Sequence, residues 1–212
     1  MAKVESKGLF PTPLLRVREF LSDELISACI AHVEAQALET NSRSAALSHT
    51  DIVEPDAQPH YQALMNAAMP HVKAFGHMLF GEMLEWQVKE IWTNVLETGG
   101  FQGIHTHANS FISGVVYLTP CHPSANTVFH RDIGGREFIF SNQNEHAATT
   151  QFNGSKWVSP DPQPGDMVLF PSYLLHDVPV NEGPRRMTVA FNALPDRLDS
   201  YGYRVEFNSR RL

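Results

Sequence analysis

The chain has 212 residues, of which 42% are hydrophobic, 10% aromatic and 18% charged. This composition is typical of a globular protein, and the length suffices for one sizeable core. A formal net charge of -7 argues against a nucleic-acid partner, because phosphate binding needs clustered lysines and arginines. The N-terminal segment MAKVESKGLFPTPLLRV has no apolar run long enough for a signal peptide or membrane span. We therefore expect a soluble cytoplasmic protein without a membrane partner.

The first part of the sequence, residues 1–84, is predicted to be mostly helical. Residues 9–17 contain two prolines, which exclude a central strand and favour an edge strand or an extended lead-in. Ser22 is predicted to cap a first helix, because two acidic residues follow it in what would be the first turn. The apolar residues of this helix recur at helical spacing: Leu25, Ile26, Cys29, Ile30, Val33 and Ala37.

A loop and a second helix are predicted to follow. Residues 40–58 are polar and show no periodic pattern, so we expect a loop there. Pro59 is a suitable first-turn residue for a helix over 60–81. Pro70 lies inside that helix and is expected to kink or break it.

From residue 85 onward, short β-rich runs replace the helical pattern. Strands are predicted over 85–97, 110–120, 126–132, 136–141, 155–160, 166–172, 176–180 and 185–194, with Gly99–Gly100 closing the first. Such strands, separated by turn residues, favour a mainly β fold, an antiparallel barrel or sandwich braced by the N-terminal helices. We expect one domain over 1–212, with a helical flank (1–84), a β core (85–195) and a C-terminal extension (196–212).

Two histidines stand one residue apart in the stretch GIHTHANSFISGVVYL, residues 103–118. On extended backbone, alternate side chains point to the same side, so His105 and His107 can face one ion. Imidazole is a common ligand of iron, zinc, copper and nickel. The pair alone is equally compatible with two polar residues that close a loop, so a third ligand must come from elsewhere.

His176 is the candidate for the third ligand, because it begins a predicted strand just after the buried strand in PGDMVLFPSYLLHDV. Ten positions later (186 − 176), Arg186 begins another strand. One face of that strand carries Arg186, Thr188, Ala190 and Asn192. A buried guanidinium is costly without a partner, and its fork geometry suits a carboxylate, either of the protein or of a bound ligand.

These residues, in this order, resemble the signature of the Fe(II)- and 2-oxoglutarate-dependent oxygenases, in particular the small branch similar to prolyl hydroxylases. The similarity covers about residues 85–195. GGFQGIHTH resembles the approach to the first ligand of the family, SGVVYL the strand after it, and PGDMVLFPSYLLHDVPV the passage with the distal histidine. The resemblance implies a double-stranded β-helix, that is, a jelly roll or cupin-like barrel, with helices on one sheet.

The resemblance also implies cofactors and their binding residues. The implied Fe(II) ligands are His105, His107 and His176. The implied residues for 2-oxoglutarate are Arg186, Thr188, Tyr117 and Asn94. Tyr117 is equally typical of a core aromatic residue, and Asn94 of a polar residue at a strand end. The implied reaction is a hydroxylase-type oxidation with dioxygen that forms succinate and CO2, and no motif indicates whether the substrate is a small molecule or a peptide.

One residue departs from the family pattern, because His107 stands where the family has Asp or Glu. Three neutral imidazoles leave the site one charge more positive and could favour zinc or nickel. Asp132 is an alternative ligand, but only 44 positions separate it from His176 (176 − 132), too few for the strands required between them. Two other functions stay open: a cupin-like three-histidine dioxygenase or isomerase without 2-oxoglutarate, and a non-catalytic binding barrel. A homodimer is compatible with each of them.

Overall fold

The structure is a computed structural model that describes residues 3, 5–41, 44–131, 142, 144–159 and 161–209. The helices are α1 (Asp23–Glu34) and α2 (Pro59–Phe80), and short 3-10 turns lie at Pro55–Ala57 and Pro123–Ala125. The strands are β1 (Leu15–Val17), β2 (Glu39–Thr40), β3 (Ala45–His49), β4 (Trp86–His105), β5 (Ile112–Tyr117), β6 (Val128–His130), β7 (Lys156–Val158), β8 (Met167–Pro171), β9 (His176–Val178), β10 (Arg186–Pro195), β11 (Arg197–Ser200) and β12 (Tyr203–Glu206). The strand predicted over 136–141 lies outside the described residues.

The strands form a curled antiparallel sheet with two layers that meet at β4. The larger sheet has the order β1-β8-β5-β10-β4, and β3 and β2 continue it beyond β4. The smaller sheet has the order β4-β9-β6-β7. The inner faces of the two sheets enclose a small cluster of buried residues, to which Tyr117 and Phe129 belong. This architecture confirms the predicted fold class, a mainly β double-stranded β-helix with flanking helices.

Strand β4 is 20 residues long and connects the two sheets. Its first half pairs with β10, whereas Gln102 and His105 pair with β9. The prediction that Gly99–Gly100 closes the strand is therefore wrong. Gly99 has a φ of +81°, which side-chain-bearing residues rarely adopt, and a Cβ on Gly100 would lie 2.6 Å from the carbonyl oxygen of Ala46. The two glycines let β4 change partners while β3 packs closely against it.

The helices cover the outer face of the larger sheet. Apolar residues of α2, among them Tyr61 and Phe75, share one buried cluster with Ile91 of β4 and Phe191 of β10. Along β10, the side chains that alternate with Phe191 point the other way, to the inner face of the sheet: Arg186, Thr188, Ala190 and Asn192. One of the two predicted faces of β10 thus packs in the core beneath the helices, and the other face lines the barrel interior.

Three local features of the structure were not predicted. Residues 40–58 are not all loop, because β2 and β3 form a hairpin that extends the larger sheet. Only one residue of β3, Leu47, is fully buried, so the sequence shows no alternating apolar pattern there. The helix α2 passes through Pro70 without a break, and the C-terminal extension contains the hairpin β11-β12. Within the described ranges, no helix has the length and apolar character needed to cross a membrane.

Candidate metal centre

Three histidines meet where the smaller sheet joins β4. His105 is the last residue of β4 and lies opposite His176, the first residue of β9. His107 lies two residues past β4, and its backbone N–H donates to the carbonyl of Ser172 at 3.0 Å. One ligand atom of each histidine lies within 4.8 Å of the others. Among the described residues this is the one group of three potential ligands at such distances.

Two of the three rings are oriented by backbone carbonyls. His105 Nδ1 lies 2.8 Å from the Gly103 oxygen, and His176 Nδ1 lies 2.9 Å from the Leu174 oxygen. Because a carbonyl only accepts, each Nδ1 carries the hydrogen and each Nε2 presents a lone pair.

The spacing between the lone pairs is also suitable for a metal. The Nε2 atoms of His107 and His176 lie 3.3 Å apart. Two ligands at about 2.1 Å from one ion, with an angle of about 90 to 110° between them, would be about 3.0 to 3.4 Å apart. The geometry of the pair therefore fits two ligands of one ion.

Burial keeps these imidazoles neutral. It lowers the pKa of His107 to about 4 and that of His176 to about 3, and the neighbouring His105 adds to both shifts. Burial also lowers the pKa of His105, against the opposing effects of the Gly103 carbonyl and the Asp177 carboxylate. All three rings can thus offer a lone pair at neutral pH without first losing a proton.

Aromatic side chains surround the three histidines. The His176 ring lies 4.8 Å from the ring of Phe170 and 6.0 Å from that of Phe129. The His107 ring lies 6.0 Å from Trp92 and 6.3 Å from Phe170. These apolar walls lower the local dielectric, which strengthens electrostatic interactions inside the barrel.

Arg186 is a buried cation on the inner face of the larger sheet, with 4% of its surface exposed. Its Nη1 and Nη2 lie 3.5 and 3.4 Å from the hydroxyl oxygens of Thr188 and Thr127, and its Cζ lies 5.2 Å from the centre of the Tyr117 ring. Among the described residues, its buried Nε has no hydrogen-bond partner, and no carboxylate forms an ion pair with the guanidinium. Long contacts to neutral hydroxyls leave a buried charge poorly compensated, so the position fits a carboxylate ligand.

The other predicted cosubstrate residues lie beside Arg186. Thr188 pairs with Tyr117 on one side and with Asn94 on the other. Both neighbours are buried, and Asn94 Oδ1 accepts a hydrogen bond of 3.1 Å from Trp92 Nε1. The structure thus groups the four predicted residues in one patch of the barrel wall.

Sequence reasoning missed one member of this patch. Thr127 contacts Arg186 and also lies 3.2 Å from the Tyr117 hydroxyl. No motif marks Thr127, because it reaches the patch only when the smaller sheet folds over the larger one.

Asp132, the alternative ligand, lies outside the described residues. His130 is buried elsewhere in the smaller sheet, with Nε2 3.2 Å from Asp177 Oδ1 but not aligned for a hydrogen bond.

Residues 90–192 match the family model described as "Putative 2OG-Fe(II) oxygenase", where 2OG stands for 2-oxoglutarate. This segment contains the three histidines, Arg186 and the other residues of the patch. The resemblance to the Fe(II)- and 2-oxoglutarate-dependent oxygenases is thereby confirmed over residues 90–192. No curated protein matches the sequence significantly.

Solved structures of this superfamily share the fold. HygX from Streptomyces hygroscopicus, with nickel and 2-oxoglutarate bound, superposes with a TM-score of 0.62 at 14% identity, over 87% of this chain and 83% of that one. A Pseudomonas putida prolyl-4-hydroxylase superposes with a TM-score of 0.60 at 15% identity, over 86% of this chain and 92% of that one. A 2OG-Fe(II) oxygenase-family oxidoreductase from Burkholderia pseudomallei superposes with a TM-score of 0.59 at 15% identity, over 86% of this chain and 83% of that one. Because the sequence identities are this low, the structural likeness supports a shared fold and nothing more.

The lowered histidine pKa values predict an acid-sensitive metal-free protein. The unfolded chain takes up protons near pH 6.5, whereas folded His107 does so only near pH 4. The free energy of unfolding should therefore fall as the pH drops from about 6.5 towards 4, by up to about 1.4 kcal/mol per pH unit for each such histidine. Urea unfolding in the presence of a chelator measures this slope.

His107→Asn should make the slope shallower, because it removes one of these histidines. The matched control is His146→Asn, since His146 is exposed and does not belong to the histidine cluster. Equal slopes for the His107 variant and the wild type would contradict the assignment of a lowered pKa to this ring.

Proposed function

We propose that this protein is a non-haem Fe(II)- and 2-oxoglutarate-dependent dioxygenase that performs a hydroxylase-type oxidation of a small molecule or a peptide. One observation carries the proposal: a cluster of three histidines and a buried, poorly compensated arginine lie in one barrel. The family match over residues 90–192 includes all four residues and supports the same conclusion. HygX, which shares the fold, has been solved with nickel and 2-oxoglutarate and with iron bound.

The residues present fit both groups. His105, His107 and His176 would hold Fe(II) through nitrogens that are neutral at pH 7. Arg186 would hold the distal carboxylate of 2-oxoglutarate with charge-assisted hydrogen bonds, to which its buried Nε could contribute. The Thr188 hydroxyl lies close enough to join that contact.

Fe(II) and 2-oxoglutarate, when bound, supply with dioxygen the oxidising power for the substrate, and 2-oxoglutarate is converted to succinate and CO2. The protein's own residues bind and orient the reactants. The carbonyls of Gly103 and Leu174 keep the Nδ1 hydrogens of two ligands in place. Buried Phe170 and Phe129 exclude water from one side of the site, which limits side reactions of the oxidant.

Arg186 also helps to choose among the alternatives. A cupin-like enzyme without 2-oxoglutarate, or a non-catalytic barrel, would leave this cation to pair with an acid of the protein or of another ligand. Within the described part of the chain no acid meets it. The family match likewise favours the 2-oxoglutarate-dependent reaction over both alternatives.

The decisive experiment is uncoupled turnover of 2-oxoglutarate. Purified protein with Fe(II), ascorbate and oxygen should form succinate at a slow rate without added substrate. His176→Ala should abolish this turnover and Fe(II) binding, because it removes one of three ligands. His146→Ala is the matched control and should behave as wild type. Full Fe(II) stoichiometry in a folded His176→Ala protein would contradict the proposed metal site.

Replacing Arg186 should affect the cosubstrate rather than the metal. Arg186→Ala should weaken 2-oxoglutarate binding by about 2–5 kcal/mol, the loss typical of a buried charged pair with one partner removed. Fe(II) binding should change little. Its neighbour Arg185 is exposed and paired with Glu97, so Arg185→Ala is the matched control. Calorimetry on the iron-loaded proteins measures both affinities, and an unchanged affinity in Arg186→Ala would assign this residue a structural role.

His107 offers a test of the unusual ligand set. His107→Asp should retain Fe(II), because a carboxylate is the ligand that the family has at this position. The added negative charge should strengthen the attraction to the metal, so the Fe(II) dissociation constant should not rise. His107→Ala, with no ligand atom, should lose affinity and serves as the comparison. Loss of Fe(II) by the Asp variant to the same extent as by the Ala variant would contradict the expectation.

A further inference from the structure

A row of buried polar side chains crosses the inner wall of the larger sheet and plays no part in the groups described above. Ser113, Ser172 and Asn192 are 1%, 1% and 2% exposed. The hydroxyl oxygens of Ser113 and Ser172 lie 2.8 Å apart, Ser113 Oγ lies 2.8 Å from Asn192 Oδ1, and Asn192 Nδ2 donates to Glu90 Oε1 at 2.7 Å. We call these four residues the polar row.

The hydrogen bonds of the polar row have one direction. Asn192 Oδ1 only accepts, so the single hydroxyl hydrogen of Ser113 points at Asn192. The Ser172 hydroxyl must therefore donate to Ser113. The row ends on the Glu90 carboxylate, which also forms an ion pair of 3.2 Å with Lys89. In a chain of aligned donors that ends on a charged acceptor, each hydrogen bond strengthens the next. Loss of any member leaves its buried neighbours without a hydrogen-bond partner.

The other end of the row reaches a proposed metal ligand. The Ser172 carbonyl accepts the backbone N–H of His107 at 3.0 Å, and the Ser172 N–H donates to the Phe111 carbonyl at 3.0 Å. His107 lies past the end of β4 and pairs with no strand of the described residues. Its backbone position thus depends on Ser172, and the Ser172 side chain is held by Ser113.

His107 needs such support more than the other two histidines. The Nδ1 atoms of His105 and His176 are fixed by carbonyls of their own chain segments. Among the described residues, no atom forms a hydrogen bond to His107 Nδ1, and its ring lies beside neighbouring rings such as that of Trp92. Its orientation therefore has to come from the backbone and from packing.

We propose that Ser113 is a positioning residue for His107, acting through Ser172. The inference rests on the proposed function, in that His107 must bind the metal. Removing the Ser113 hydroxyl would leave the buried Ser172 donor and the buried Asn192 acceptor without partners. Ser172 would then shift to find another partner, and the His107 lone pair would move away from the position that the other two ligands define.

Cobalt(II) alone is the probe that tests this role. Titration of the metal-free protein with Co(II), followed by its visible d–d absorption, reports both affinity and ligand geometry. Ser113→Ala should weaken Co(II) binding about 10-fold or more, within the range for residues that support a ligand, and should alter the spectrum. Ser113→Thr keeps the hydroxyl and should restore both. The matched control is Ser110→Ala, since Ser110 lies outside the polar row and its hydroxyl donates to the nearby Ala108 carbonyl.

A double variant separates positioning from general stability. Ser172→Ala breaks the same link from the other side, so it should cause a similar loss, and Ser113→Ala/Ser172→Ala should cause little more than either single change. Ser172→Ala also keeps the test available if Ser113→Ala does not fold. A purely structural role would lower the urea stability of the metal-free protein and leave Co(II) affinity and spectrum unchanged, and this result would overturn the inference.

The two proposals fail in different ways. If the wild-type protein binds no Co(II), the proposed metal site fails and the positioning role fails with it. If the wild type binds Co(II) and both serine variants bind it equally well with the same spectrum, only the positioning role is overturned.

Discussion

The position of strand β4 in both sheets is the constraint on which the site depends. Its first half pairs with β10, which carries Arg186, and its last residue, His105, pairs with His176 of β9. One strand thus relates Arg186 to the histidine cluster. The distance between them is set by backbone hydrogen bonds rather than by flexible loops, which suits the proposed binding of a metal and a small diacid at once. The glycines at 99 and 100 make this continuity possible.

The inner wall of the larger sheet shows a chemical order along β10. At one end Arg186 and Thr188 form a buried patch suited to an anion. Ala190 follows, a small apolar residue that pairs with Trp92, whose ring lies 6.0 Å from that of His107. Asn192 then begins the polar row. Because alternate residues of one strand face the same side, a single stretch of sequence carries residues of the proposed cosubstrate site, a small apolar residue and a member of the polar row.

The sequence predicted the parts of the site that depend on order along the chain. His105, His107, His176 and Arg186 could be identified because their order and neighbouring residues are specific, and the helix and most strands followed from periodicity. The parts that depend on pairing across sheets were not predictable. Thr127 reaches Arg186 only when the smaller sheet folds over the larger one, and the polar row joins residues 59 to 102 positions apart. β3 was missed because its exposed side chains give no alternating pattern.

In the proposed site, the replacement of the usual carboxylate by His107 changes how this ligand must be held. A carboxylate is drawn to a divalent ion by its charge, and several orientations of its two oxygens serve almost equally well. A neutral imidazole binds through one directional lone pair, so a small rotation removes much of the bond. The nearby Asp177 carboxylate supplies a negative charge that acts on His105, but Asp177 is not one of the three proposed ligands.

A site with three neutral ligands therefore depends more on the rigidity of its surroundings. In this barrel the backbone carbonyls of Gly103 and Leu174 supply that rigidity for two rings. The polar row is the corresponding candidate for the third.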